Sequence, residues 1–119
     1  MAAFHTDLVV KVAEDTADGK WEVILPLVYE SDVAQRTITV PPEFQTDFCS
    51  VPRIPGIYDL LGNRARKAGT VHDYLYSSHI VSRFVADLIL REMVQVDGVG
   101  HAEAELFYYA ARMFGWIFW

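Results

Sequence analysis

The sequence predicts an α+β fold: a small antiparallel three-stranded sheet, then a Pro/Gly-rich loop, then three packed helices. Three observations carry this. Over the first 45 residues apolar side chains recur at every second position, whereas from residue 65 onward they recur at spacings of three and four. Between the two regimes lies "EFQTDFCSVPRIPGIYDLLGN", with its prolines and glycines. Strands first and helices after is the order of an α+β chain. With 119 residues, 52% of them hydrophobic, the chain is large and apolar enough for one packed core. A single domain over 1–119 is therefore expected, with a sheet portion at 1–45, a shaped loop at 46–64 and a helical portion at 65–119.

In chain order, "DLVVKVA" places Leu8, Val10 and Val12 on one face of a first strand, and "AEDTADGK" is a turn-rich connection. In "WEVILPLVYES", alternation puts Trp21, Val23, Leu25, Leu27 and Tyr29 on one face. Pro26 has no N–H for a ladder, so this strand lies at an edge or carries a bulge there. "TITV" is a third strand, stopped by Pro41 and Pro42. The loop that follows is long for a compact domain, which more often reflects function than ornament. One helical turn is expected within it near Tyr58.

The first helix is expected from Ala65 to about Ser77, with Ala68, Val71, His72, Leu75 and Tyr76 on its apolar stripe. Ser77 and Ser78 break it, and Ser82 is the expected N-cap of a second helix running to Val96. That helix is apolar nearly all round except for Arg83, Asp87, Arg91 and Gln95 at steps of four, which predicts burial on most sides. "DGVG" ends it. A third helix is expected from His101 to about Gly115, with Leu106, Tyr109, Ala110 and Met113 facing inward. Gly115 reads as a helix stop. Beyond it the chain is expected to turn back, setting Trp116 on the core and leaving Phe118 and Trp119 at the edge for a partner.

Composition excludes several functions. A net charge of −6 argues against a phosphate-binding surface, so no nucleic-acid partner is expected, and the basic "NRARK" reads as a solvated helix start. Cys49 is the only cysteine, so no intrachain disulfide forms. The N-terminus lacks the pattern of a signal peptide. No run approaches the roughly 18 apolar residues of a membrane span.

The residues with chemistry to offer cluster in "TVHDYLYSSH". His72 lies on the apolar stripe of its helix and points inward. Adjacent helical residues do not face each other, so Asp73 cannot orient its neighbour's ring. Asp47 and Asp87 are the acids that could. A His72 held by either could activate water as a general base, leaving Asp73 to bind a divalent cation with loop carbonyls. The competing account is structural. There His72 is a hydrogen-bonded core histidine, Asp73 caps or pairs with an Arg, Asp87 forms surface salt bridges with Arg83 and Arg91, and Asp47 braces a tight turn. A Cys49–His72 thiol pair is disfavoured because Val51-Pro52 follows where a helix would have to lower the thiol pKa. Zinc is disfavoured because His72 and His79 do not share a face and only one Cys exists.

Taken in order, "DFCSVPR", "VHDYLY", "SRFVADLIL" and "YYAARMFGW" resemble a family of small proteins of unknown function from tailed bacteriophages and prophages, over roughly residues 38–116. The HD-x-LY and R-x-x-AD pair is the most specific part. The resemblance implies a phage or prophage origin, a place in the virion or host cytoplasm, and no established activity. A fainter resemblance, HD-x-x-Y followed by an Asp on the next helix, is to phospholipases A2. It implies His72 as general base, Asp73 as calcium ligand, Tyr76 as a supporting hydroxyl, Asp87 as orienting acid, and "GIYDLLGN" in place of the calcium loop. The bracing disulfides, the glycine-dense loop and a start without strands are all missing here. Two functions therefore stay open. One is an accessory or virion-associated protein that docks on other phage proteins, or on itself, through Trp116, Phe118 and Trp119. The other is a hydrolase built on His72 and Asp87, acting on lipid or the cell envelope.

Overall fold

The computed structural model describes residues 1–13, 20–46 and 63–119. Asp47, Cys49, Ser50 and the turn expected near Tyr58 lie outside the described residues. The α+β class holds: among the described residues, two small antiparallel sheets precede three α-helices.

The first half makes two three-stranded sheets. One contains β1 (Ala3–Phe4), β4 (Leu27–Ser31) and β5 (Arg36–Val40) in the order β1-β4-β5. The other contains β2 (Val10–Val12), β3 (Trp21–Val23) and β6 (Gln45–Thr46) in the order β2-β3-β6. The run expected as one strand, residues 21–31, is thus split between sheets at Ile24-Leu25-Pro26. Leu25 is exposed, so the alternation that placed it inward fails there. The physical cause is Pro26, which cannot donate to a ladder. Thr6 stitches the break: its hydroxyl donates to the Pro26 carbonyl at 3.1 Å and accepts from Val28 N at 2.9 Å.

Alternation holds in the second piece. Leu27, Tyr29 and Ser31 are buried on β4, and their neighbours Ile38 and Val40 are buried on β5. This face meets the helices α1 (Asn63–Ser78), α2 (Arg83–Val96) and α3 (His101–Phe114). Ser82 caps α2 as expected, accepting from Val85 N at 3.2 Å. α2 packs against both other helices, and Ala86, Ile89, Leu90, Met93 and Val94 are all buried.

The inward face of α3 differs from the expected one. Ala104, Phe107 and Ala111 are buried, while Leu106, Tyr109 and Met113 are exposed. The helix carries two apolar stripes on opposite sides, and packing chose the one with small residues, which lets α3 approach α2 closely. Gly115 does not adopt a left-handed stop. It has φ −65° and ψ −20°, and α3 tightens into a 3₁₀ turn over Gly115–Ile117. The chain therefore does not fold Trp116 onto the core; that side chain is 66% exposed.

Glu92 fastens α2 to the sheet. Its Oε1 accepts from the Tyr29 and Ser31 hydroxyls, both at 2.8 Å, and its Oε2 accepts from the backbone N–H groups of Asp32 and Val33 at 3.1 and 2.9 Å. Burial, then the Glu92 carboxylate, pushes the Tyr29 hydroxyl far above its ordinary pKa, so it remains a donor. The turn it holds includes Gln35 at φ 52°, a left-handed conformation that a non-glycine residue seldom adopts unaided. Glu92→Ala would leave four donors unanswered, two of them on buried side chains. It should cost about 2–4 kcal/mol, read as a lower urea midpoint with an unchanged slope. Glu92→Gln should fall between the two.

Candidate functional site

The site is built around one carboxylate. His72 and Tyr76 are four residues apart on α1, which sets their side chains one above the other on a single face. Both reach Oδ1 of Asp87, which lies in the second turn of α2: His72 Nε2 at 2.9 Å and the Tyr76 hydroxyl at 2.6 Å. Oδ2 faces two guanidinium groups. Arg112, from the last turn of α3, donates at 3.1 Å, and Arg83, one turn before Asp87, lies at 3.5 Å. Arg83 also donates to the carbonyls of Ala111 and Arg112, at 3.1 and 3.4 Å, where the end of α3 leaves carbonyls without helical partners. One carboxylate thereby ties three helices together.

His72 and Asp87 are fully buried and Tyr76 nearly so. Asp87 is not a surface residue of a solvated stripe, as its two Arg neighbours in sequence had suggested. Arg91 instead pairs with Glu105 of α3 at 2.9 Å. Burial alone would raise the Asp87 pKa, but the hydrogen bonds from His72, Tyr76 and Arg112 outweigh it and hold the carboxyl below its ordinary value. The ionised carboxylate only accepts, so the proton in the His72 pair sits on Nε2. Burial, then the bond to Asp87, raises the Tyr76 hydroxyl well above the usual tyrosine range and keeps it a donor.

Asp73 points elsewhere, as its position next to His72 requires. Its carboxylate takes a hydrogen bond from the Thr46 hydroxyl of β6. With Thr46 it lines a cleft of about 310 Å³, together with Lys20, Gln45, Tyr76, Ser77 and Phe118. Calcium takes six to eight oxygen ligands, several of them carboxylate. Among the described residues no group of three or more His, Cys, Asp or Glu comes together, and the loop carbonyls expected beside Asp73 lie outside the described residues. The pairing of Asp47 with His72 falls outside the described residues.

In the tail, Trp119 folds back rather than Trp116. Its indole stacks on His79, with ring centroids 3.8 Å apart and planes at 5°, and meets Tyr76 edge-on at 5.2 Å. Phe118 is half-exposed at the cleft. The sequence does not single out Arg112, and it marks Gly115 only as a helix stop. Arg112 reads as an ordinary basic residue in the last turn of a helix. Gly115 is needed for close approach, since a Cβ there would overlap the Tyr76 hydroxyl and lie 3.3 Å from Arg83 Nη1.

Residues 21–111 match the family described as "Protein of unknown function (DUF1353)". No curated protein and no solved structure matches the chain significantly. The match takes in His72, Asp73, Tyr76, Asp87 and Glu92 and stops one residue short of Arg112. Among the described residues, no helix is long and apolar enough to cross a membrane.

Two outcomes follow from the hub. Asp87→Asn removes the charge facing two guanidinium groups and should cost about 3 kcal/mol. Because the folded-state pKa of Asp87 is depressed, its contribution is fully present above about pH 4 and is lost as pH falls through the folded value. Acid unfolding followed by circular dichroism should therefore be shallower in Asp87→Asn than in the wild type. Gly115→Ala should destabilise by about 1–3 kcal/mol through overpacking against Tyr76, which thermal melts will measure.

Proposed function

Because the chain belongs to the DUF1353 family of proteins of unknown function, its own geometry must supply the premise, and we propose that it is a phage-encoded accessory or virion-associated protein that docks on other phage proteins, or on itself, through α3 and the aromatic tail. The observation that carries this reading is where the apolar surface lies. Leu106, Tyr109, Met113, Trp116 and Ile117 are each half or more exposed, on one helix and the turn after it. Each such side chain left in water forgoes about 1.5–3 kcal/mol. A run of them on one face marks a contact site. The phage assignment rests on the resemblance of the HD-x-LY and R-x-x-AD segments. Under this reading His72, Asp87, Tyr76 and Arg112 pin the helices in place, and the face they support does the work.

The alternative, a hydrolase with His72 as general base, has the 2.9 Å His72–Asp87 pair in its favour. It requires the base to reach the proton it removes, and the His72 side chain has no exposed surface. A substrate would have to open the junction of α1 and α2 first.

The protein should co-sediment with purified particles, or with an assembly intermediate, of the phage that encodes it. Trp116→Ser combined with Phe118→Ser should keep the melting temperature within a few degrees and abolish co-sedimentation. Co-sedimentation undiminished in the double variant would refute the docking face. Phospholipid vesicles should remain intact with and without calcium. Hydrolysis that disappears in His72→Gln would instead establish the enzyme reading.

A further inference from the structure

The exposed stripe along α3 and the 3₁₀ turn that continues it has a register. Ala102, Leu106, Tyr109, Met113 and Trp116 follow one another at steps of four, three, four and three, which is the spacing of the inward positions of a heptad. All five are exposed. The opposite stripe, Ala104, Phe107 and Ala111, is already buried against the rest of the protein. A strict four-three seam is narrower than the face a helix presents to a globular core, and it suits one partnering helix.

We propose, building on the docking reading, that this partner is a second copy of the chain, seated as an antiparallel pair of α3 helices about a two-fold axis at Tyr109. Side-chain size argues for it. The seam has its smallest residue, Ala102, at one end and its largest, Trp116, at the other. A parallel pair would set Ala102 on Ala102, leaving a gap, and Trp116 on Trp116, forcing a clash. The antiparallel pair sets Ala102 against Trp116, Leu106 against Met113 and Tyr109 on its own copy, so volume is even along the seam. The same surface patch serves both subunits, as a two-fold interface requires.

Charge gives the same answer independently. Glu105 and Arg112 are seven residues apart and flank the seam on one side, both partly exposed. The antiparallel pair brings Glu105 of each copy beside Arg112 of the other. A parallel pair would set the two copies' Glu105–Arg112 flanks on opposite sides of the seam, where they cannot meet. Glu105 bonds Arg91 through Oε1, and Arg112 bonds Asp87 through Nη1, so each retains further hydrogen-bonding positions. The seam and its flanks would bury roughly 600 Å² per copy, at the lower limit of specific interfaces. A reversible dimer of moderate affinity is therefore expected.

The test uses the full chain in sedimentation-velocity and light-scattering runs over a concentration series. A monomer–dimer equilibrium is expected. Leu106→Glu should weaken it by about 30-fold or more while circular dichroism and the melting temperature stay unchanged. Orientation is read by disulfide trapping on a Cys49→Ser background. Tyr109→Cys should cross-link to itself. Leu106→Cys and Met113→Cys should each fail alone and cross-link when mixed. Self-cross-linking of Leu106→Cys would mean a parallel pair and overturn the proposal, as would a dimer indifferent to Leu106→Glu. A monomer at every concentration would also overturn it, yet leave the docking reading to particle co-sedimentation, which does not depend on self-pairing.

Discussion

The arrangement of the three helices depends on the ionised carboxylate of Asp87. Taking such a charge out of water costs several kcal/mol, and the interior repays this only when the geometry is good and the remaining lone pairs are answered. Here both oxygens are used: one takes His72 and Tyr76 from α1, the other faces Arg83 and Arg112. Each donor comes from a fixed place on its helix, so the carboxylate sets where α1 and α3 lie along α2. Gly115 follows from the same constraint. The Tyr76 hydroxyl and Arg83 occupy the volume a Cβ would need, so the chain passes this point without a side chain and carries its aromatic residues beyond it.

α2 holds a second carboxylate anchor, this one only partly buried. Glu92 follows Asp87 by five residues, which on a helix is about 140° of rotation. The two carboxylates therefore leave α2 in different directions. Asp87 gathers the helices, and Glu92 gathers the β4–β5 turn through two hydroxyls and two backbone N–H groups. Between them runs the apolar body of the helix, Ile89, Leu90, Met93 and Val94. Hydrophobic burial supplies the attraction, which has no direction. The two acids supply the register, because each is satisfied in only one arrangement of its neighbours.

Much of this was legible in the sequence, and what was not has physical reasons. The switch in periodicity near residue 65 placed strands before helices, and Ser82 marked the start of α2 as its hydroxyl geometry requires. His72 and Asp87 could be paired because a helix cannot turn Asp73 toward its neighbour. The split of residues 21–31 was not legible, since alternation continues through Leu25 and a proline marks a break without saying that the strand changes sheets. The partners of Asp87 misled for a similar reason. Arg83 and Arg91 are both one turn away in sequence, but Arg91 goes to Glu105 while Arg112, 25 residues distant, closes the hub. Glu92 gave no signal beyond being a charged residue on an apolar helix.

The exposed face of α3 ties the fold to the proposed docking role. An amphipathic pattern tells which residues are apolar, and on α3 it identifies two stripes without ranking them. Size ranks them. Arg83 must reach the carbonyls of Ala111 and Arg112, and Arg112 must reach Asp87, so α3 has to lie close to α2. Ala104, Ala111 and Gly115 permit that approach, with Phe107 filling the space left deeper in. Leu106, Tyr109 and Met113 would hold the helices apart and break the hub. Once the small stripe is committed inward, the large one has nowhere to go but the surface. The exposed face of α3 is thus a consequence of the demand that Asp87 be satisfied, and a solvated helix could have met that demand with polar residues at the same positions. That large apolar residues stand there, in register and on the side the hub does not need, is the physical ground for assigning them a contact outside the fold.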